Sequence, residues 1–199
     1  MVRFPEVMLR LPDWVEEFVV DEVYPTTEDR MRLAVDLSRE NVRRGTGGPF
    51  GAAVFERESG RLVAPGVNLV VSAGCSVFHG EMVAIMVAQK ALGDFDLGSP
   101  GYPAHELVTS TEPCAMCLGA TPWSGVRRLV CAARDADARA VGFDEGAKVS
   151  DWIPKLEERG IAVACDVLRE EAVAVLREYA QTGGEIYNSR GGASSERNP

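Results

Sequence analysis

Glu112-Pro113-Cys114-Ala115-Met116-Cys117-Leu118-Gly119-Ala120 is the stretch on which the reading of this chain turns. Two cysteines three apart follow a proline, and residues 115 to 123 continue as a helix start. Residues 107 to 111 upstream and 128 to 133 downstream read as short strands, so the cysteine pair sits at a strand-to-helix junction. Further upstream, residues 81 to 92 are helical, with Met82, Ile85, Met86, Ala88 and Leu92 as apolar residues and Gly93 as the stop. Before them come two strands, 50 to 55 and 62 to 71, joined by a turn at Glu58-Ser59-Gly60. Thr26 or Thr27 can cap a longer helix, with Glu28 and Asp29 near its dipole and a stripe of Met31, Leu33, Ala34, Val35, Leu37 and Val42, ended by Gly45 to Gly48.

The ends of the chain read differently. Residues 13 to 20 form a brief amphipathic helix after Pro12, closed by Tyr24-Pro25. Past the second strand of the central region lie a Gly-rich loop at 141 to 146, a helix at 151 to 159, a strand at 161 to 165 and a helix at 168 to 182. The tail from Gly191, rich in Gly, Ser and charge, is expected to be disordered. Strands alternating with helices predict a layered α/β domain. The expected organisation is a leading extension over 1 to 25, one domain over 26 to 188 and a disordered tail over 189 to 199.

With 199 residues and 46% hydrophobic content, the chain supports a single substantial core. No apolar run reaches the roughly 18 residues of a spanning helix, and no membrane partner is expected. Arg3, Glu6, Arg10 and Asp13 interrupt the first fourteen residues, unlike a signal peptide, so a cytoplasmic location is expected. The formal net charge is −9, whereas affinity for nucleic acid comes largely from Lys and Arg on phosphates. The expected partner is therefore a small molecule, not nucleic acid. Five cysteines, at 75, 114, 117, 131 and 165, argue against a disulfide framework, and the C-x-x-C pair argues for metal or redox chemistry.

His79-Gly80-Glu81 opens the helix at 81 to 92 just as Pro113-Cys114-Ala115-Met116-Cys117 opens the other. His79, Cys114 and Cys117 form a three-ligand zinc set, which in a catalytic site leaves the fourth position to water. One Zn2+ per chain is expected. Helix N-termini favour the thiolates. Glu81 stands two residues beyond His79, placed to touch the metal water and to pass its proton to a leaving nitrogen. H-x-E followed by P-C-x-x-C is the signature of zinc base deaminases. A thioredoxin-type pair leaves Pro113 and His79 unexplained. A closed structural site needs a fourth protein ligand, for which Cys75 is the candidate. His105 reads as a surface or strand-end histidine, and Cys131 and Cys165 as core thiols.

From about Arg30 to Leu168 the chain resembles the cytidine deaminase superfamily, and within it the bacterial guanine deaminases. The resemblance rests on Gly47-Gly48-Pro49-Phe50-Gly51-Ala52, Gly66-Val67-Asn68, His79-Gly80-Glu81, the 112 to 120 stretch, Trp123 and Gly142-Phe143-Asp144-Glu145. It implies a three-layer α/β/α sandwich with a central mixed sheet of about five strands, and a homodimer. It also implies that Phe50 stacks on the base, Asn68 hydrogen-bonds the ring edge, Gly80 offers a backbone N–H and Trp123 walls the pocket. Glu145 takes the place of a second carboxylate that meets the purine's 2-amino side and helps move protons. A carboxylate accepts from the amino and ring N–H pair that guanine presents and adenine does not.

The family more often carries alanine where Gly80 stands, so the missing methyl is expected to enlarge the pocket beside the metal. Tyr187, in Glu185-Ile186-Tyr187-Asn188, is the candidate lid. The implied reaction is guanine to xanthine and ammonia. Its rivals are an amino-triazine or nucleoside substrate, a tRNA adenosine deaminase, and a non-catalytic zinc-stabilised protein.

Overall fold

The computed structural model describes residues 4–20 and 22–188, so the expected disordered tail at 189 to 199 lies outside the described residues. Five strands form one sheet in the order β2-β1-β3-β4-β5: β1 Gly51–Glu56, β2 Leu62–Val67, β3 His105–Thr111, β4 Arg128–Ala133 and β5 Ala162–Ala164. β1 runs antiparallel to both β2 and β3, whereas β3, β4 and β5 are mutually parallel. The sheet is mixed, as expected.

Alternation along the strands creates the layers. Ala53, Phe55, Val108 and Val130 face one core, shared with Met31, Leu33, Ala34 and Leu37 of α2 (Thr27–Arg43) and with Val175 and Leu176 of α8 (Arg169–Gln181). Their strand neighbours Ala52, Val54, Leu107 and Leu129 face the opposite core, with Ala84, Ile85 and Ala88 of α4 (Gly80–Leu92) and Trp152 and Leu156 of α7 (Trp152–Glu157). A side-chain period of two sends successive residues to opposite faces, which makes a helix–sheet–helix sandwich. β3 is buried along its whole length, as a central strand covered on both faces should be.

Local signals set the ends of these elements. Thr26 caps α2 and closes a reciprocal capping box with Asp29. α1 (Trp14–Phe18) buries Trp14 and Val15 in the α2-side core, and the Trp14 indole donates to Thr46 Oγ1 at 3.1 Å. The leading segment is thus packed onto the domain, and its backbone at Glu22 and Tyr24 bonds to the β1–β2 turn.

Two expectations need correction. The strand expected over 62 to 71 stops at Val67, because Asn68 Oδ1 accepts from the Val70 amide (3.2 Å) and turns the chain into α3 (Val70–Ala73). A short helix, α6 (Asp135–Ala140), fills the stretch after β4 and was not foreseen; its turns are held by the Asp137 carboxylate on the Arg134 amide.

Candidate active site

The carboxyl ends of the parallel strands β3 and β4 and the amino end of antiparallel β1 lie together, so loops from three strands converge on one edge of the sheet. β3 ends at Thr111 and the chain then enters α5 (Ala115–Ser124) through Glu112-Pro113-Cys114. Cys114 is the N-cap of α5 and His79 is the N-cap of α4, both in extended backbone. The two helices therefore aim their amide ends at the same point.

There His79 Nδ1 lies 3.5 Å from Cys114 Sγ and 3.7 Å from Cys117 Sγ. A tetrahedral zinc with Zn–S of about 2.3 Å and Zn–N of about 2.0 Å holds sulfur and nitrogen roughly 3.5 Å apart. The spacing and the soft donor set fit that metal. Among the described residues this is the group whose donor atoms converge, all within 4.8 Å of one another. Cys75 does not belong to it and packs at the edge of the α2-side core instead. The fourth ligand of a closed structural site is thus missing from the group.

Charge in the cleft is unevenly held. The two thiols are held in opposite directions: the hydrogen bond from Cys117 holds Cys114 well below the usual thiol range, against the effect of burial, and the same bond with burial drives Cys117 up. Metal binding displaces such protons. Burial works to lower His79, but its hydrogen bond to the Cys114 sulfur and the nearby Glu81 carboxylate outweigh it and the net shift is upward. Burial, and next the Cys114 charge, push Glu81 up to about 7. Glu145 is pushed up to about 8 by burial first and then by Cys114 and Glu81. Two carboxyls poised near neutrality beside a metal cradle are suited to proton transfer.

A cleft of about 360 Å³ opens onto this group, lined among others by Phe50, His79, Glu81, Cys114, Glu145 and Tyr187. The structure therefore brings together most of the expected residues. Phe50 stands at its mouth with its ring edge-to-face against Phe143, centroids 4.8 Å apart. Tyr187 reaches in from the C-terminal segment, edge-on to both His79 and Phe143. Asn68 is fully buried behind it, its Nδ2 donating to Tyr187 Oη at 2.6 Å.

Trp123 does not wall the cleft within this chain, contrary to expectation. It is 86% exposed, because Cys117, Thr121 and Ser124 form the inner face of α5 and Trp123 projects about 100° away from Ser124. It borders a separate hollow with Leu118, Pro122 and Trp152.

Gly80 also departs from expectation. A Cβ there would point at the β1 backbone, 3.2 Å from the Phe50 carbonyl oxygen, so the missing methyl tightens the α4–β1 contact and does not widen the cleft. His105 begins a strand as expected but is buried, its ring Nδ1 2.6 Å from Leu97 O. Cys131 is a core thiol, and half-buried Cys165 touches it at 3.3 Å.

Several cleft residues had no sequence signal assigned to them. Phe143 lay inside the Gly-Phe-Asp-Glu stretch, and its flanking glycine could have marked it as the anchor of a functional loop. Asn188 brackets that loop, accepting from the Asp144 amide and donating to Gly142 O, across a sequence separation that no local pattern reveals.

A profile of the cytidine and deoxycytidylate deaminase zinc-binding region matches residues 25–133. The guanine deaminase of Bacillus subtilis (strain 168) is 37% identical over 134 residues, which span 67% of this chain and 81% of that protein. A solved guanine deaminase from Nitrosomonas europaea superposes with a TM-score of 0.84 at 47% identity, over 91% of this chain and 98% of its own. The structure of NE0047 in complex with 2,6-diaminopurine gives 0.87 at 48% identity, over 93% and 98%. The profile runs from just before α2 to the end of β4, the span in which this chain builds its metal cradle and sets Glu81 beside it, and the chain belongs to the cytidine and deoxycytidylate deaminase family.

Proposed function

We propose that this deaminase hydrolyses guanine to xanthine and ammonia. The observation that carries the reading is the second buried carboxyl, Glu145, in the same cleft as the His79–Cys114–Cys117 cradle and Glu81. The relatives from Bacillus subtilis and Nitrosomonas europaea, both guanine deaminases, support it. One zinc ion per chain, with water in its fourth position, would be held by His79 Nδ1 and the two thiolates. Zinc so held would lower the pKa of water enough to make a hydroxide nucleophile available at neutral pH.

The chain's own residues do the rest. Glu81 takes a proton at the metal side of the cleft and returns it to the departing amino nitrogen. Lining the same cleft as the cradle, this one carboxyl can accept the proton and then donate it. Once it has passed its proton to the purine, Glu145 as a carboxylate accepts hydrogen bonds from the ring N–H and 2-amino group of guanine. Phe50 offers a ring face for stacking, and the Gly80 amide stands at the N-terminus of α4 beside the ligand His79. Asn68 Nδ2 presents a donor that Tyr187 now satisfies, so Tyr187 acts as a lid over the donor that meets the ring edge.

A homodimer is part of the same reading. Trp123 and Val149, both well exposed, flank the hollow with Leu118 and Trp152, an apolar face of the kind that marks protein contacts. The unpaired thiols accord with a reducing, cytoplasmic location, and among the described residues no helix is long and apolar enough to cross a membrane. The domain proper is taken as 26 to 188.

Ammonia release measured across guanine, guanosine, adenine, cytosine, cytidine, amino-triazines and a tRNA tests the substrate. Turnover fastest with anything but guanine overturns it. Glu81→Gln should keep its zinc and lose at least about a hundredfold in ammonia release. Undiminished turnover in that variant refutes the proton-transfer role.

A further inference from the structure

Glu145 sits on a loop held by scattered side-chain contacts and not by a hydrogen-bonded ladder. Residues 141–150 contain no strand or helix, and of their apolar side chains Phe143 alone is fully buried while Val149 is half exposed. A substrate-binding carboxyl must nevertheless be fixed to a fraction of an ångström relative to the metal.

The Glu145 carbonyl accepts from the Ala115 amide at 2.9 Å, in the first turn of α5 between the two cysteine ligands. Arg139 Nη2 donates to Gly146 O at 2.8 Å. Three residues beyond Glu145, Lys148 Nζ donates to Glu112 Oε2 at 2.9 Å and to Pro113 O at 3.2 Å, and it lies 3.4 Å from Asp135 Oδ1. Its ammonium lies over the Trp152 ring, with Nζ 5.2 Å from the centroid, and its side chain is only 9% exposed. Glu112 is itself fixed: its amide donates to Ala133 O at the end of β4, and Oε2 also accepts from the Asp135 amide.

A buried ammonium among carboxylates and a carbonyl contributes little net stability relative to apolar packing, because desolvation opposes the attraction. What it supplies is register between segments that share no ladder. Lys148 joins the Glu145 loop to Glu112-Pro113, the residues that lead directly into Cys114.

We propose that Lys148 is a positioning residue for the deamination: through Glu112 and the Pro113 carbonyl it sets the Glu145 carboxyl against the metal cradle and so determines affinity for the purine edge. This rests on the reading of Glu145 as the group that binds the substrate.

The test uses the zinc-loaded enzyme, with guanine kinetics, zinc content and thermal midpoint measured for Lys148→Met, Glu145→Gln and the double variant. Methionine keeps an unbranched apolar chain of similar length and removes the charge. Lys148→Met should retain zinc and raise KM for guanine about tenfold or more, with kcat changed far less. In the Glu145→Gln background it should raise KM no further. If Glu145→Gln raises KM and Lys148→Met does not, or if Lys148→Met acts equally in both backgrounds, the positioning role is overturned. A Glu145→Gln enzyme with unchanged kinetics instead indicts the substrate-binding reading itself, and the positioning role falls with it. If Lys148→Met does not fold, Glu112→Met removes the acceptor on the other side of the tie and must show the same selective rise in KM. A fall in kcat or zinc content with KM constant overturns the proposal.

Discussion

Glu145→Gln should change how the metal-free protein's stability depends on pH, and the size of the change follows from burial. Glu145 is 6% exposed, and its pKa stands at about 8 against an ordinary value of 4.5. Between those values the folded state holds a proton that the unfolded chain has released. The folded state then binds more protons, so stability falls as pH rises, by about 1.4 kcal/mol per unit for one group. Titration near each end softens the slope, leaving roughly 3 kcal/mol lost between about pH 5 and about pH 8. Glutamine carries no such proton.

After removal of metal with a chelator, urea unfolding of parent and variant across that range gives two stability curves. Their difference should move in the variant's favour as pH rises, by roughly 3 kcal/mol. Taking the difference cancels the groups that lie beyond the influence of Glu145. Curves that run parallel, with the gap constant to within about 0.5 kcal/mol, refute the account of Glu145 as a carboxyl kept protonated by its surroundings.

Gly80→Ala tests the correction at the metal side: the new methyl leans on the Phe50 backbone, so stability should shift by no more than about 1 kcal/mol and kcat/KM for guanine by less than about tenfold. A large selective change between guanine and other bases, read by competition kinetics, would show that the methyl does face the substrate. At the far end of β3, fully buried Glu106 bridges Arg30 and Arg128, so Glu106→Gln leaves a buried guanidinium under-compensated and should cost about 3–5 kcal/mol in urea unfolding. KM for guanine should stay unchanged, because the bridge sits at the opposite end of the strand from Glu112; a loss below about 1 kcal/mol would contradict the argument.

Much of the site was legible because its chemistry is local. His79 and Glu81 are two residues apart, Cys114 and Cys117 three apart, and each pair opens a helix whose start is marked in the sequence. The sheet was legible for a similar reason: short β-prone runs separated by helical periods admit a layered arrangement and little else. Where the reading failed, the deciding contact was distant. The strand at 62 to 71 was cut short by one asparagine side chain that preferred the Val70 amide to the ladder. Trp123 was given a wall to build, but the phase of α5, set by Cys117 facing the cradle, turned it outward.

The sequence by itself singled out the candidate donors, the acid beside them and the order of the strands and longer helices, though not the short α3 and α6, since residue type, spacing and periodicity carry that information. Only the tertiary structure decided that Glu145, 31 residues beyond Cys114, lies over the same cleft and that Tyr187 occupies Asn68. It alone decided that a methyl at Gly80 would meet backbone. These are contacts between segments far apart in the chain, and packing of the sandwich, which no local pattern encodes, brings them within reach of one another.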